Sequence, residues 1–93
     1  MPTKDTPEKM ARMHAWLDAV ARELDLDPAV MAEAERPLLS LIGKIAHGPS
    51  RPGAPLSAYL IGYAVAKGAT PSQELIAQID ALVASYEYEA DTN

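Results

Sequence analysis

Residues 28–46 read PAVMAEAERPLLSLIGKIA, and this stretch decides the fold. Pro37 lies inside an otherwise helical pattern, where proline removes a backbone hydrogen bond and clashes with the preceding turn. We therefore expect a break near Glu35, with a short helix before it and a longer helix that runs to about Ala46. The longer helix is apolar on most of its sides, which predicts a position at the centre of the core. Its apolar residues are Leu38, Leu39, Leu41, Ile42 and Ile45.

One amphipathic helix is predicted before this stretch and two after it. The first runs from Pro7 to about Leu24, where apolar residues recur at helical spacing. The third runs from about Pro55 to Lys67, and Gly68 is expected to end it in the left-handed conformation. The fourth runs from Pro71 to about Tyr86. The apolar stripes are Met10, Met13, Leu17, Val20 and Leu24 in the first helix, Leu56, Tyr59, Leu60, Tyr63 and Ala64 in the third, and Leu75, Ile76, Ile79, Leu82, Val83 and Tyr86 in the fourth.

Three of these helices have a capping residue followed by proline at the first helical position, where the missing N–H costs nothing. The pairs are Thr6-Pro7, Asp27-Pro28 and Thr70-Pro71, and Gln73 completes a capping box with Thr70. No stretch alternates β-branched and polar residues as a strand does. The sequence predicts a single all-α domain, a compact bundle of four to five helices over residues 7–86. Residues 1–6 are expected to form a flexible N-terminus and residues 87–93 an acidic tail.

The amino-acid composition excludes several classes of function. The chain of 93 residues has no cysteine, which excludes disulfides and cysteine-type zinc sites, and it has only two histidines. No phosphate-binding loop, dinucleotide glycine pattern or serine nucleophile elbow is present, so we expect no cofactor, no metal and no catalytic activity. No apolar stretch is long enough to span a bilayer, and the first residues have no apolar signal core, which predicts a cytoplasmic protein without membrane contact.

The charge is unevenly distributed along the chain. The net charge of −5 argues against nucleic acid as a partner, because phosphates require a basic footprint. Between Glu35 and Glu74, however, there is no acidic residue, and all four charged side chains there are basic. They are Arg36, Lys44, Arg51 and Lys67. Either chance or a modest surface that faces an anion or a partner explains this basic middle.

The proline-rich stretch from His47 to Pro55 is the candidate site, because three prolines and two glycines within nine residues rule out a continuous helix. Arg51 precedes a helix whose first N–H groups, around residues 56–58, are expected to be free to bind an anion. Arg51 could equally pair with an internal carboxylate, or contact a partner. The ligand- or partner-binding residues that we predict are His47, Ser50, Arg51, Ser57 and Tyr59.

Two other features receive structural interpretations. Tyr59 and Tyr63 are four residues apart, and aromatics at this spacing usually belong to a core. Gly43 and Gly62 lie inside predicted helices, where glycine costs about 1 kcal/mol relative to alanine. A close approach of two helices at these glycines would explain them.

Residues 45–64, IAHGPSRPGAPLSAYLIGYA, resemble the AHGxxRPxAPLxxxLxG stretch of a small actinobacterial helical domain of unknown function. That domain also tends to begin with a helix that contains a Trp-Leu pair followed by LGLD. Trp16-Leu17 and residues 24–27 are similar to this pattern, with Asp25 in place of the glycine. The resemblance covers residues 14–86, nearly the whole chain.

The family that this chain resembles occurs alone or fused behind a nucleotidyltransferase domain similar to the guanylyltransferases of molybdenum-cofactor synthesis. Such an enzyme needs a glycine-rich nucleotide loop and metal-binding aspartates. This chain has neither, so the resemblance implies an accessory role beside the enzyme and not guanylyl transfer itself.

Three hypotheses follow. The first is a non-enzymatic accessory or interaction module, with a nucleotidyltransferase of cofactor synthesis as its partner. The second is a domain that binds a small anion or a nucleotide phosphate through the His47–Ser57 segment and the helix that follows. The third is a purely structural domain that forms homo-oligomers, since the apolar second and third helices could finish burying their surface in a homodimer.

Overall fold

The computed structural model describes residues 6–68 and 70–87, and the chain divides into two compact units, residues 1–32 and 33–93. Every regular element in the described part is a helix, which confirms the all-α prediction. The α-helices are α1 (Pro7–Glu23), α2 (Glu35–Ala46), α3 (Gly53–Lys67) and α4 (Ser72–Ser85), and a single 3-10 turn spans Pro28–Met31. None of the described helices is long and apolar enough to cross a membrane. The predictions for residues 1–5 and 88–93 lie outside the described residues.

In the first unit, α1 begins as its sequence predicts. The hydroxyl of Thr6 accepts a hydrogen bond from the N–H of Lys9 at 3.1 Å, and Pro7 occupies the first helical position. Four residues of the predicted apolar stripe are half-buried: Met10, Met13, Leu17 and Val20. Leu24, the last residue of the stripe, is exposed, because it caps the helix and no longer continues its face.

The end of α1 is fixed by hydrogen bonds from two residues beyond the helix. The N–H of Leu26 donates to the carbonyl of Ala21 at 2.7 Å, and the N–H of Asp25 donates to that of Arg22 at 3.0 Å. This pair of bonds defines a Schellman motif. Asp27 then caps the 3-10 turn, since its carboxylate accepts from the N–H of Ala29 at 2.9 Å.

The second unit is built around α2, which packs against both α3 and α4, and these two also pack against each other. The predicted break is confirmed, because α2 begins at Glu35. Pro37 therefore lies in its first turn, where no intrahelical N–H bond is lost. Leu41 is only 1% exposed and lies at the centre of the core. The buried core residues are Ala34, Leu41, Ile45, Ala54, Ile61 and Ile76.

One ion pair joins two helices of this unit. The Nζ of Lys44 on α2 lies 2.8 Å from a carboxylate oxygen of Asp80 on α4. Both side chains are substantially exposed, so we expect the pair to stabilise the unit by about 0.2–1 kcal/mol. Lys44, one of the four basic residues between Glu35 and Glu74, is thus engaged within the unit.

Several predictions about helix ends are wrong. Helix α3 begins two residues earlier than predicted, at Gly53, because Pro55 fits within the first turn. Gly68 is not left-handed; its φ of −121° and ψ of −173° are extended. The Thr70 capping box does not form either. Helix α4 starts at Ser72 after Pro71, with no side-chain hydrogen bond to its cap.

The interpretation of Gly43 and Gly62 is also wrong. A Cβ atom built on either glycine would meet nothing within 4 Å. No close helix approach therefore requires a glycine at these two positions, and their cost to helix stability is not offset by packing.

Candidate functional site

The predicted site residues lie in and just after the loop that joins α2 to α3, residues 47–52, which we call the 47–52 loop. Hydrogen bonds back to the last turn of α2 hold its first half. The carbonyl of Ile45 accepts from the N–H groups of Gly48 at 3.2 Å and Ser50 at 3.1 Å. The N–H of His47 continues the helical pattern to the carbonyl of Gly43 at 3.0 Å. The loop is therefore a defined turn and not an extended link.

The second half of the loop is held by hydrogen bonds to the start of α3. The hydroxyl of Ser50 accepts from the N–H of Gly53 at 3.0 Å, and the carbonyl of Arg51 accepts from the N–H of Ala54 at 3.2 Å. The half-buried hydroxyl of Ser57 donates to the carbonyl of Gly53 at 2.8 Å. Both predicted serines thus bond within the chain: Ser50 binds the first amide of α3 in the manner of a helix cap, and Ser57 bonds to the preceding turn of α3 itself.

This arrangement leaves little for an anion to bind. The N–H groups of Gly53 and Ala54 are already engaged, and Pro55 has none. Because α3 begins at Gly53, the amides of residues 56–58 lie past its first three positions and are not the free groups that the sequence predicted. The geometry does not favour the anion-binding alternative.

His47 and Arg51 are both exposed on this fixed loop. Within the described residues, the Arg51 side chain makes no ion pair and no hydrogen bond. The hypothesis that Arg51 is buried against an internal carboxylate is therefore wrong. Its guanidinium, with five donors and a full charge, faces solvent.

Tyr59 lies on the outer side of α3 and is 69% exposed, and Tyr63 is also exposed. Their rings stack at a centroid distance of 6.5 Å and an interplanar angle of 18°. The ammonium of Lys67 lies 5.5 Å from the centroid of the Tyr63 ring, within cation–π range. The prediction that these tyrosines belong to the core is wrong, because α3 turns Ala54 and Ile61 inward instead.

A groove between α3 and α4 is the feature that sequence reasoning missed. It has a volume of about 350 Å³ and is mainly apolar, with the amide of Gln78 and the hydroxyl of Ser57 as its polar groups. Its lining residues are Ser57, Leu60, Ile61, Ala64, Leu75, Gln78, Ile79 and Leu82. A smaller hollow of about 240 Å³ shares Ser57, Ile79 and Leu82 with it and reaches Pro49 and Ser50 of the 47–52 loop.

The sequence contains a signal for this groove. Helix α3 has apolar residues on all of its faces, whereas a three-helix unit can bury only some of them. Apolar side chains beyond those that the core can take must remain outside, and this excess predicts an exposed apolar surface on α3.

The described residues contain no group of three or more histidine, cysteine, aspartate or glutamate side chains that could hold a metal ion. The site brings together a fixed loop with two exposed side chains, those of His47 and Arg51, and an apolar groove that begins beside it.

The fold and the site define a small all-α domain with an exposed apolar surface. Residues 8–91 match the family model described as a domain of unknown function, DUF6457, and the chain belongs to that family. No curated protein matches the chain, and no solved structure matches it either.

Proposed function

We propose that this chain is a non-enzymatic helical interaction module of the cytoplasm and that its 47–52 loop contacts a partner protein. The observation that carries the proposal is the state of Arg51, which is exposed and makes no ion pair with any described residue, on a loop that hydrogen bonds hold in place. Because the backbone of this turn is already held in place, binding through Arg51 orders only the side chain and not the loop. Arg51 is therefore well suited to pair with a carboxylate of another protein.

The choice among the three roles predicted for Arg51, an internal ion pair, an anion site and a contact with a partner, rests on what each requires of the loop. A structural staple requires Arg51 to face a carboxylate of its own chain, and it faces solvent. An anion site requires free amides and hydroxyls at the start of α3. The hydroxyl of Ser50 is already bonded to the amide of Gly53, and the amide of Ala54 is bonded to the carbonyl of Arg51. A contact with another protein requires only exposed groups in a fixed arrangement, which His47 and Arg51 provide.

For the identity of the partner, we propose a nucleotidyltransferase of molybdenum-cofactor synthesis. This part of the proposal rests on the resemblance of residues 45–64 to domains that occur fused behind such enzymes. The chain would then act beside the enzyme as an accessory domain, with the chemistry left to its partner.

The experiment is affinity capture from a native lysate with three tagged baits, followed by mass spectrometry of the retained proteins. The baits are the wild type, the double variant His47→Ala with Arg51→Ala, and Arg36→Ala as a matched control. Arg36 is an exposed arginine of the same basic middle, on α2 and outside the loop.

We expect the wild type and Arg36→Ala to retain a nucleotidyltransferase and the double variant to lose it. Because neither loop side chain is bonded within the described structure, the free energies of unfolding of the three baits should agree within about 0.5 kcal/mol. Retention of the same enzyme by the double variant would reject the loop as the contact. Three folded baits that retain no such enzyme would reject the partner.

A further inference from the structure

A second surface, separate from the 47–52 loop, lies along α3 and α4, and we call it the α3–α4 face. It consists of the groove described above and the exposed side chains beside it, Leu56, Leu60, Tyr63 and Leu82. Leu60 is 64% exposed although it also lines the groove. An apolar ridge and an apolar groove therefore lie side by side on one face of the helix pair.

The area of this face is in the range that a stable dimer uses. Each of the four exposed side chains shows at least half of its surface to solvent. With the groove walls, the face offers on the order of 600 Å² of mainly apolar surface per copy, since an aromatic side chain has about 150–250 Å² of surface in all and Tyr63 exposes about half of it. The smaller stable interfaces bury roughly 600 Å² on each partner.

The face also lacks charge, as the centres of permanent interfaces do. Helix α3 has a single charged residue, Lys67, in its last turn. Helix α4 has two, Glu74 and Asp80, and Asp80 is turned away toward Lys44 of α2. Lys67 of α3 and Glu74 of α4 therefore remain. Lys67 lies in the last turn of α3 and Glu74 in the first turn of α4, so both are at the same end of the helix pair.

We propose that a second copy of this chain covers the α3–α4 face. A contact around a two-fold axis requires one patch that complements itself, and a ridge beside a groove meets this requirement, because each copy's ridge can enter the other's groove. If the axis runs along the helices, α3 of one copy lies beside α4 of the other. Lys67 of either copy then lies beside Glu74 of the other copy, so the two remaining charges complement each other.

This inference does not depend on the proposed role of the 47–52 loop. The loop is adjacent to one end of the groove and supplies none of the four ridge residues. A dimer formed through the α3–α4 face would carry two copies of the loop, each available to a partner protein.

The first experiment measures the mass of the full chain in solution by light scattering on a sizing column. The samples are the wild type, Leu60→Glu, and Leu39→Glu as a matched control, loaded at about 100 μM, where a dimer of micromolar affinity is largely formed. Leu39 is an exposed leucine, but it lies on α2, outside the face.

We expect the wild type and Leu39→Glu to have twice the 10.0 kDa chain mass and Leu60→Glu to have the chain mass itself. Circular dichroism should show the same helical content in all three. A wild type that runs at the single-chain mass would overturn the proposal, and so would a folded Leu60→Glu that stays doubled. Neither result bears on the loop, whose test is the capture experiment.

The second experiment examines the orientation through the charge pair, by sedimentation analysis of the dimer dissociation constant. Lys67→Glu and Glu74→Lys should each weaken the dimer about five-fold, which corresponds to roughly 1 kcal/mol. The double variant, in which the charges are exchanged, should recover most of the wild-type affinity. A double variant weaker than either single variant would overturn the side-by-side arrangement.

Discussion

At the scale of the residue, Asp25 has a strained backbone conformation. Its φ is 59°, and among the described residues no other non-glycine residue has a positive φ. The Schellman motif at the end of α1 requires the left-handed conformation at this position, where glycine is the usual residue. Aspartate tolerates it better than most residues but still has a Cβ atom that crowds the following carbonyl.

We predict that Asp25→Gly stabilises the protein by about 0.5–1 kcal/mol, because glycine has no Cβ atom and removes the strain in the folded state. Glycine also raises the conformational entropy of the unfolded chain, and this effect offsets only part of the stabilisation. Urea denaturation followed by circular dichroism measures this. Asp18→Gly is the control, since Asp18 lies within α1, where glycine lowers stability. A midpoint for Asp25→Gly at or below that of the wild type would contradict the prediction.

Glycine has the opposite effect at position 62. Gly62 lies inside α3, and a Cβ atom there would meet nothing within 4 Å. We predict that Gly62→Ala stabilises the protein by about 1 kcal/mol, which raises the melting temperature of a domain this small by roughly 4–8 °C.

Gly53→Ala is the matched control in the same helix. A Cβ atom at Gly53 would lie 3.0 Å from the hydroxyl oxygen of Ser50, the atom that accepts the Gly53 N–H. Alanine should therefore fail to stabilise position 53. If thermal denaturation shows no difference between the two variants, the open space at Gly62 does not exist in solution.

At the scale of the element, α2 organises the second unit, because it packs against both α3 and α4 and contributes Leu41 and Ile45 to the buried core. The sequence placed this helix at the centre correctly. Its wide apolar surface is unambiguous, since residues 38–45 have only one charged side chain, Lys44, and that one lies on the exposed side in the pair with Asp80.

We predict that Leu41→Ala destabilises the second unit by about 2–5 kcal/mol, because a residue that is 1% exposed leaves a cavity in a core of few side chains. Leu39→Ala, two residues away and 44% exposed, should cost less than about 1 kcal/mol. Chemical denaturation of both variants measures the contrast. Equal losses would mean that α2 has a different rotation about its axis.

At the scale of the whole molecule, the proposed dimer links stability to concentration. A folded dimer that dissociates on unfolding becomes more stable as the protein concentration rises. We predict that the melting temperature of the wild type increases between about 1 and 100 μM while that of Leu60→Glu stays constant. Differential scanning calorimetry over this range measures the trend, and a wild-type melting temperature independent of concentration would contradict it.

The sequence by itself determined the helices and the break between the first two. Local chemistry is sufficient for these features, since a capping side chain, a proline or a helical repeat acts within a few residues. The Thr6 and Asp27 caps and the start of α2 at Glu35 were all predicted for this reason. Where local signals compete, they failed: the Thr70 box did not form, and Gly68 is extended.

Only the tertiary structure decided which side of α3 is buried and what the loop residues do. Apolar residues surround α3, so its own sequence favours no direction, and packing against α2 and α4 selected Ala54 and Ile61 for the core. Size does not explain this choice, because Leu60 has the same number of atoms as Ile61 and yet is exposed; the rotation of α3 about its axis decides which side chains are buried. Likewise, whether Arg51 has an internal partner depends on residues distant in the chain, which no local pattern specifies.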